Sequence, residues 1–376
     1  MTADVQTQAR IYALWKRGLW VIDLLLTVGL MGGVMATGLA QSWRSWVVAR
    51  IPSWPLQTAI YVGVLGVGLT IFSLPLDWFR SFTLEHRFGL STQRLPQWLW
   101  EQFKQFTIGG ALGLILVEGL VALIRLKPET WWLWAALFWM GWSVLLTRVA
   151  PIWLIPIFYK QRPLENTGLR QRLEALLNRC GTRVGGIFEL DLSRTTRKAN
   201  ACLCGMGRTR RVLVSDTLLA AHPPEEVEVV LAHEVGHHRF HHLGILIFVS
   251  ALATSFSCLL VDRTARFGLA RFGLSGLADL AALPLIGLLF LAASLLLMPL
   301  LNGLSRRLEK QADQYALDQT DDPQAFIATM KRLAERNLAE LDPPRWVEWL
   351  FYDHPSISKR IALAQGRLAG ATGGAR

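Results

Sequence analysis

Residues 233–261 read HEVGHHRFHHLGILIFVSALATSFSCLLV, a histidine-rich polar segment that leads directly into a run without charged residues. The uncharged part, 243–261, is long enough to cross a bilayer core, which needs about 17–25 apolar residues. A second uncharged run, 280–305, follows it and ends at Arg306 and Arg307. The two runs predict a membrane hairpin, so the chain would return to the side of the membrane that it left.

The composition identifies the chain as a membrane protein. Of its 376 residues, 52% are hydrophobic and only 18% are charged, and 16 are tryptophans. Such a chain is too apolar for an ordinary soluble domain. Four earlier runs are also long and apolar enough to span a bilayer, at residues 19–40, 56–76, 107–124 and 131–147. We therefore expect an all-α polytopic membrane protein with about six transmembrane helices.

The excess of basic residues is expected to face lipid. The net charge is +11, and the sequence contains no nucleic-acid-binding motif, so we expect membrane lipid rather than nucleic acid to contact the Lys and Arg residues beside the spans. An even number of spans puts both termini and the long segment after the fourth span on one side. That side is flanked by Lys160, Arg239, Arg306, Arg307 and Lys310, and the positive-inside rule predicts it to be the cytosol.

Two polar segments outside the membrane are expected to form one small domain together, since neither is obviously large enough to fold well alone. The first contains a predicted helix at 169–178, strands at 187–192 and 211–215, and a helix from about Pro224. The expected organisation is four spans in 1–147, the first half of an α+β domain in 148–242, the membrane hairpin in 243–305 and the second half of the domain in 306–376.

His233 and His237 are four residues apart on the helix that begins near Pro224, with Glu234 between them. Side chains at i and i+4 are about 5–6 Å apart on a helix, so both imidazoles can bind one tetrahedral ion. Glu234 would lie near the open position of the metal and could take a proton from the water that the ion acidifies. This pattern is typical of zinc peptidases, and the sequence therefore predicts one catalytic zinc ion per chain.

Three more histidines follow and offer alternative pairs. His237 with His241, and His238 with His242, have the same spacing. Only His233 and His237 enclose a glutamate where a general base is needed, so we expect these two to bind the metal. His241 and His242 stand next to the apolar span and suit an interfacial belt.

Glu309 is the expected third zinc ligand. The hairpin returns this residue to the side of His233 and His237, and two histidines, a carboxylate and water form a known catalytic zinc set. Asp313, one turn later, could accept the second N–H of a ligating histidine and orient its ring. The alternative interpretation is that Glu309 and Asp313 are solvated charges on a helix surface.

Several motifs occur here in an order that resembles one membrane protease family. They are LP at 74–75 with FTLEHRFG at 82–89, AP at 150–151 with IF at 157–158, NA at 200–201 with Gly205, SDTLL at 215–219, HEVGH at 233–237, SRRLE at 305–309 with AD at 312–313, and HPS at 354–356 with Arg360. Together they are similar to the type 1 CaaX prenyl endopeptidases, integral-membrane zinc metalloproteases of the gluzincin kind. The resemblance covers most of the chain from about residue 75 to residue 360.

The resemblance implies roles that spacing alone does not. Asn200 would lie in an edge strand that holds the substrate backbone extended beside the metal, a mode of binding that grips any sequence. His354 would stabilise the tetrahedral oxyanion, and Arg360 would support the site. The alternative interpretations are an ordinary turn asparagine for Asn200 and a turn or cap histidine for His354.

We therefore expect an integral-membrane zinc endopeptidase that hydrolyses peptide bonds with metal-activated water. In a bacterium it would lie in the inner membrane with its catalytic site facing the cytoplasm. Its partners would be membrane lipid and peptide or protein substrates, with a C-terminal or prenylated segment as one option. One alternative is a quality-control zinc protease for damaged membrane proteins, and another is a non-catalytic scaffold or transporter with a structural zinc.

Overall fold

Six helices that are long and apolar enough to cross a membrane dominate the computed structural model, which describes residues 2–373. Residues 374–376, the end of the predicted C-terminal segment, lie outside that range. Four of the six begin before residue 160. The helices of this part are α1 (Ala3–Ala36), α2 (Leu39–Arg50), α3 (Trp54–Trp78), α4 (Leu84–Arg87), α5 (Leu95–Leu126), α6 (Trp131–Val149) and α7 (Ile155–Phe158).

The apolar runs read from the sequence are shorter than the helices that contain them. α3 continues through a π-helical turn at Phe79–Thr83 into α4, and α6 continues through another at Ala150–Leu154 into α7. Composition marks only the apolar part of a helix, because backbone hydrogen bonding carries it past the hydrocarbon boundary. The predicted end of the first span at residue 40 is wrong: α1 ends at Ala36, and Gly38, with a φ of 76°, turns the chain into α2.

A small sheet forms outside the membrane. Its strands are β1 (Gln161–Pro163), β2 (Ile187–Leu190), β3 (Ala201–Cys204) and β4 (Arg211–Ser215). They lie in the order β1-β2-β4-β3, with β2 and β4 parallel and the two outer pairs antiparallel. The strands predicted at 187–192 and 211–215 correspond to β2 and β4. β3, at the edge, leaves one row of backbone polar groups unpaired by the sheet.

Three helices accompany the sheet: α8 (Thr167–Arg179), α9 (Asp216–Ala221) and α10 (Pro224–Arg239). α10 begins where proline suits a first helical turn, and Glu225 and Glu226 face its positive end. The chain then bends at His241, which adopts a left-handed φ of 56°, and α11 (His242–Leu269) enters the membrane.

The return through the membrane is made by α12 (Leu283–Thr320), which is 38 residues long. It passes the predicted boundary at 305/306 without a break, because the helix continues beyond its apolar part. The predicted boundary is therefore not the end of a helix. The division into four segments stays a prediction.

The last helices, α13 (Pro323–Asn337), α14 (Arg345–Phe351) and α15 (Ile357–Gly373), complete the domain outside the membrane. Its core buries Leu173 of α8, Val212 of β4, Val235 of α10 and Phe326 of α13, each with at most 1% exposure. The two polar segments therefore share one hydrophobic core, which explains why neither is expected to be stable alone.

Candidate metal centre

The candidate site lies where α10 crosses α12, two helices that the whole membrane hairpin separates in sequence. Gly236 marks the closest approach, since a Cβ there would be 3.1 Å from the Cα of Ala312 and 3.3 Å from its carbonyl oxygen. A residue without a side chain lets the two backbones come this close. The glycine of HEVGH therefore sets the distance between the histidines of α10 and the carboxylates of α12.

Three side chains direct polar atoms at one another across this crossing. Nε2 of His233 and Nε2 of His237 are 3.1 Å apart. Glu309 places Oε2 3.3 Å from the first nitrogen and Oε1 3.2 Å from the second. Within residues 2–373, this is the one group of at least three His, Cys, Asp or Glu side chains whose possible ligand atoms all lie within 4.8 Å of one another.

Asp313 and Arg360 hold the far side of His233. Nδ1 of His233 lies 2.9 Å from Oδ1 of Asp313. The Arg360 guanidinium donates from Nε and Nη2 to the two oxygens of that carboxylate, at 2.8 and 2.6 Å. A carboxylate paired in this way is ionised and can only accept. Nδ1 of His233 therefore carries the ring proton in the neutral imidazole, and Nε2 presents a lone pair to the site.

His237 is oriented in the same way by a further histidine. Nδ1 of His242 is 2.9 Å from Nδ1 of His237, and Nε2 of His242 is 3.0 Å from Oε1 of Gln311. Because the Gln311 oxygen can only accept, His242 donates to it from Nε2 and accepts from His237 at Nδ1. His242 is 1% exposed, so the interfacial role expected for it from the sequence is wrong.

The three convergent side chains fit a zinc ion. Zn–N and Zn–O bonds of about 2.0–2.2 Å at tetrahedral angles separate ligand atoms by about 3.3–3.6 Å, close to the observed 3.1–3.3 Å. Oε2 of Glu309 is buried, and it lies 3.3 Å from Nε2 of His233 and 3.3 Å from Nε2 of His354. Burial by itself lowers the pKa of His233, but hydrogen bonds to Asp313 and Glu309 outweigh it and raise that pKa to about 9. The pocket therefore favours a positive charge.

Glu234 lies between these rings and the free edge of β3. Its Oε2 accepts a hydrogen bond from the backbone N–H of Leu203 at 3.3 Å. On the other side of β3, the N–H of Ser215 donates to the carbonyl of Asn200. Antiparallel pairing alternates, so the N–H and C=O groups of Ala201 and Leu203 point away from β4. The carboxylate therefore lies at the edge where a further strand would pair.

A cavity of about 220 Å³ brings the remaining candidate residues together. Its lining includes Asn200, His233, Glu234, His354 and Arg360. Asn200 is fixed at the end of β3 because its backbone N–H donates to the hydroxyl of Ser215 at 3.0 Å. Every residue proposed from the sequence thus contacts the candidate metal site or lines the cavity beside it.

His354 reaches the site from the loop after α14. Its side chain is 50% exposed, and Nε2 lies 3.3 Å from Oε2 of Glu309. Nδ1 donates to Oδ1 of Asp353 at 2.7 Å. Burial disfavours the charged ring, but the hydrogen bond to Asp353 and the charge of Glu309 raise the pKa of His354 above its ordinary value. The ring therefore tends to keep an N–H available at the open face of the site.

Sequence reasoning missed the contacts of Gly236, Leu203 and the pair His242 and Gln311. The Gly236 contact depends on how two distant helices cross, and the Leu203 contact depends on which strand forms the sheet edge. The spacing of five residues from His237 to His242 does not place two side chains on one face of a straight helix. The left-handed turn at His241 joins them, and the sequence carries no clear signal for it.

Comparison with known proteins gives two family models that together cover most of the chain. "CAAX prenyl protease N-terminal, five membrane helices" matches residues 1–160, and "Peptidase family M48" matches residues 163–368. Within the described part of the first range, four helices are long and apolar enough to span a membrane. α2 has only 12 residues, too few to span.

Relatives match along most of their length. The uncharacterized metalloprotease YhfN of Bacillus subtilis is 30% identical over 358 residues, covering 94% of this chain and 84% of the relative. CAAX prenyl protease 1 of Saccharomyces cerevisiae is 26% identical, covering 81% of this chain and 71% of the yeast protein. The crystal structure of S. mikatae Ste24p has the same fold, with a TM-score of 0.86 over 97% of this chain and 90% of that one, at 22% identity.

Proposed function

The chain belongs to peptidase family M48, and we propose that it cleaves peptide bonds with one zinc ion bound by His233, His237 and Glu309. It is an integral-membrane metalloendopeptidase that acts on peptide or protein substrates. The observation that carries the zinc proposal is the convergence of two imidazole Nε2 atoms and one carboxylate within 3.3 Å of one another.

Asp313 contacts Nδ1 of His233 and His242 contacts Nδ1 of His237, so the Nε2 atom of each ring is left to bind the ion. When bound, zinc acidifies a water molecule to a pKa of about 7 and polarises the scissile carbonyl. Glu234 is the general base: its carboxylate takes the proton of the attacking water and later gives it to the leaving amine. The Leu203 N–H holds one oxygen of that carboxylate in place.

His354 is the proposed donor to the oxyanion. Its Nδ1–H donates to Asp353, and the raised pKa lets Nε2 carry a proton that faces the open side of the site. A donor aimed at the developing negative charge stabilises the tetrahedral state more than the substrate. Arg360 acts through Asp313 and is therefore a positioning residue rather than a catalytic one.

The substrate backbone would lie along the free edge of β3. The outward N–H and C=O groups of Ala201 and the C=O of Leu203 can pair with an extended peptide, as in β-strand addition, whereas the Leu203 N–H is already bonded to Glu234. Asn200, at the start of this edge and in the lining of the catalytic cavity, would bind the peptide on the side nearer the metal. Backbone pairing of this kind suits an endopeptidase because it does not depend on substrate sequence.

The substrate class and the membrane in which the protein lies are also proposals. Several relatives are named CAAX prenyl proteases, so a C-terminal and prenylated segment is the first substrate class to test. The 30% identical bacterial relative and the basic residues beside the spans support a bacterial inner membrane with the catalytic site facing the cytoplasm. Nothing in the site favours the quality-control or scaffold alternatives, and a structural zinc would need no general base.

The experiment that tests this function is purification of Glu234→Gln beside the wild type. Peptide hydrolysis should vanish in the variant, whereas bound zinc should stay near one ion per chain, because Glu234 is not a ligand. Zinc is measured by mass spectrometry and hydrolysis with a fluorogenic peptide library and a prenylated CaaX peptide. Retained hydrolysis would remove Glu234 as the base, and loss of zinc would show that Glu234 is a ligand instead.

A further inference from the structure

α14 packs against two helices, α1 and α12, that are long and apolar enough to span a membrane. Nδ2 of Asn302 in α12 donates to the carbonyl of Leu350 at 2.7 Å, and Arg306 donates to the carbonyl of Glu348 at 3.0 Å. From the other side, the ring of Trp20 in α1 meets the ring of Phe351 edge to face at 5.2 Å. The uncharged part of α12 ends at Ser305, and the apolar run of α1, which contains one charged residue, Asp23, begins at Leu19. α14 therefore contacts α1 and α12 close to where their apolar runs end.

α14 carries two strongly exposed tryptophans. Trp346 is 64% exposed and Trp349 is 57% exposed, whereas Val347 and Glu348 between them are buried. Residues i and i+3 share one face of a helix, so the two indoles form a single apolar patch. Among the described side chains of 159–242 and 306–370, these two are the only large hydrophobic ones that are strongly exposed.

Basic side chains occur in α14 itself and in α12, which packs against it. Arg307, Lys310 and Arg345 are exposed. A cavity of about 420 Å³ lies beside α14 and is lined by four cations and two anions, a net charge of 4 − 2 = +2. Arg360 pairs with Asp313 and Lys359 with Glu348, so Arg306 and Lys310 supply the excess positive charge. A surface that combines indoles with an excess of cations matches the interfacial zone of a membrane that contains anionic lipid.

We propose that α14 is an interfacial anchor that binds the surface of an anionic bilayer, with Trp346 and Trp349 in the headgroup region and the neighbouring basic side chains facing lipid phosphates. A bilayer is the partner that fits best, because α14 contacts α1 and α12, and the bilayer that these two helices span would continue past α14. Tryptophan prefers this zone because its ring is apolar and its N–H can still bond to water or headgroups.

The anchor has a consequence for the catalytic site. The loop that carries His354 begins directly after α14, and Arg306 also donates to the carbonyl of Tyr352 in that loop. Lipid contact would therefore hold His354 beside Glu309, so hydrolysis should rise with the anionic lipid content of the bilayer. This consequence rests on the proposed function, whereas lipid contact itself does not.

The test of lipid contact uses the full chain in phosphatidylcholine vesicles with and without phosphatidylglycerol. A carbene-forming reagent dissolved in the bilayer is photolysed, and mass spectrometry locates the label. Residues 345–351 should be labelled as strongly as the peptide with Trp134, an exposed residue of α6, and α8 should stay unlabelled. Labelling of α14 by a water-soluble carbene reagent but not by the lipid-dissolved one would overturn the proposal, since the tryptophans would then face water, a peptide or a protein partner.

Variants separate the two parts of the proposal. Trp346→Ser with Trp349→Ser should lose most of the lipid-phase label at 345–351, and Trp346→Tyr with Trp349→Tyr should restore it. Trp46→Ser, on α2, is the control for loss of an exposed tryptophan. Arg307→Gln with Arg345→Gln should abolish a severalfold rise in labelling and hydrolysis with phosphatidylglycerol, and an unchanged rise would contradict the basic contact. Labelling of the Glu234→Gln form should equal that of the wild type, so a failure of the catalytic assignment leaves this test intact.

Discussion

Replacing His242 with alanine should weaken zinc binding without touching a zinc ligand. The buried His242 ring accepts the Nδ1 proton of His237 at 2.9 Å and is itself fixed by Gln311 at 3.0 Å. Its loss lets the His237 ring rotate and leaves the Nδ1–H without its acceptor. Loss of such an outer partner typically costs 10–100-fold in metal affinity, or about 1.4–2.7 kcal/mol.

The assay is competition between the purified protein and a chromophoric zinc chelator, run in the same detergent for each variant. His238→Ala is the matched control, because His238 is also on α10 and half-buried but contacts none of the three ligands. His242→Gln should recover part of the affinity, since its amide oxygen can accept from His237. If His242→Ala bound zinc as tightly as His238→Ala, the account of how His237 is oriented would be refuted.

Three further outcomes are expected. Gly236→Ala should lower zinc affinity, because the new Cβ would lie 3.1 Å from the Ala312 backbone and would push α10 away from α12. The crowding costs about 1–3 kcal/mol, more than the gain in helix propensity of about 1 kcal/mol. Gly244→Ala is the control and should bind zinc normally, since nothing lies within 4 Å of its new Cβ. Arg360→Gln should destabilise the fold by about 3–5 kcal/mol, because the buried Asp313 would lose its arginine and keep only its contact with His233. The loss is seen as a lower Tm, and an unchanged Tm would show that the pair is not needed. Asn200→Ala should raise KM more than it lowers kcat, with zinc content unchanged; a drop in kcat alone would contradict a role in substrate binding.

The spanning helices could be predicted because their signal is local. An uncharged run of sufficient length has no other common explanation, and six such runs correspond to six long helices within the described residues. Their ends could not be predicted, because α12 continues through Arg306 and Arg307 as a helix into water. Hydropathy reports the solvent around a helix, and hydrogen bonding determines where the helix ends.

The candidate metal site also has a part that could be predicted from the sequence and a part that could not. His233, Glu234 and His237 are close in sequence and follow from helical spacing. Glu309 could be proposed because the hairpin restricts where its chain segment returns. His242 could not, since its contact needs the left-handed turn at His241, a conformation that few non-glycine residues adopt. The exposure of Trp346 and Trp349 on α14 could not be predicted from the sequence either, because it depends on how the whole domain packs.

The central claim is that two histidines of one helix and a carboxylate from beyond a membrane hairpin bind the same zinc ion. X-ray absorption spectroscopy at the zinc edge tests it most directly, on the wild type and on Glu309→Ala. We predict one zinc per chain in the wild type, with nitrogen and oxygen ligands at about 2.0–2.2 Å and at least two imidazoles, and strong loss of zinc from the variant. Sulfur ligands at about 2.3 Å, or a fully loaded Glu309→Ala with an unchanged spectrum, would contradict the claim.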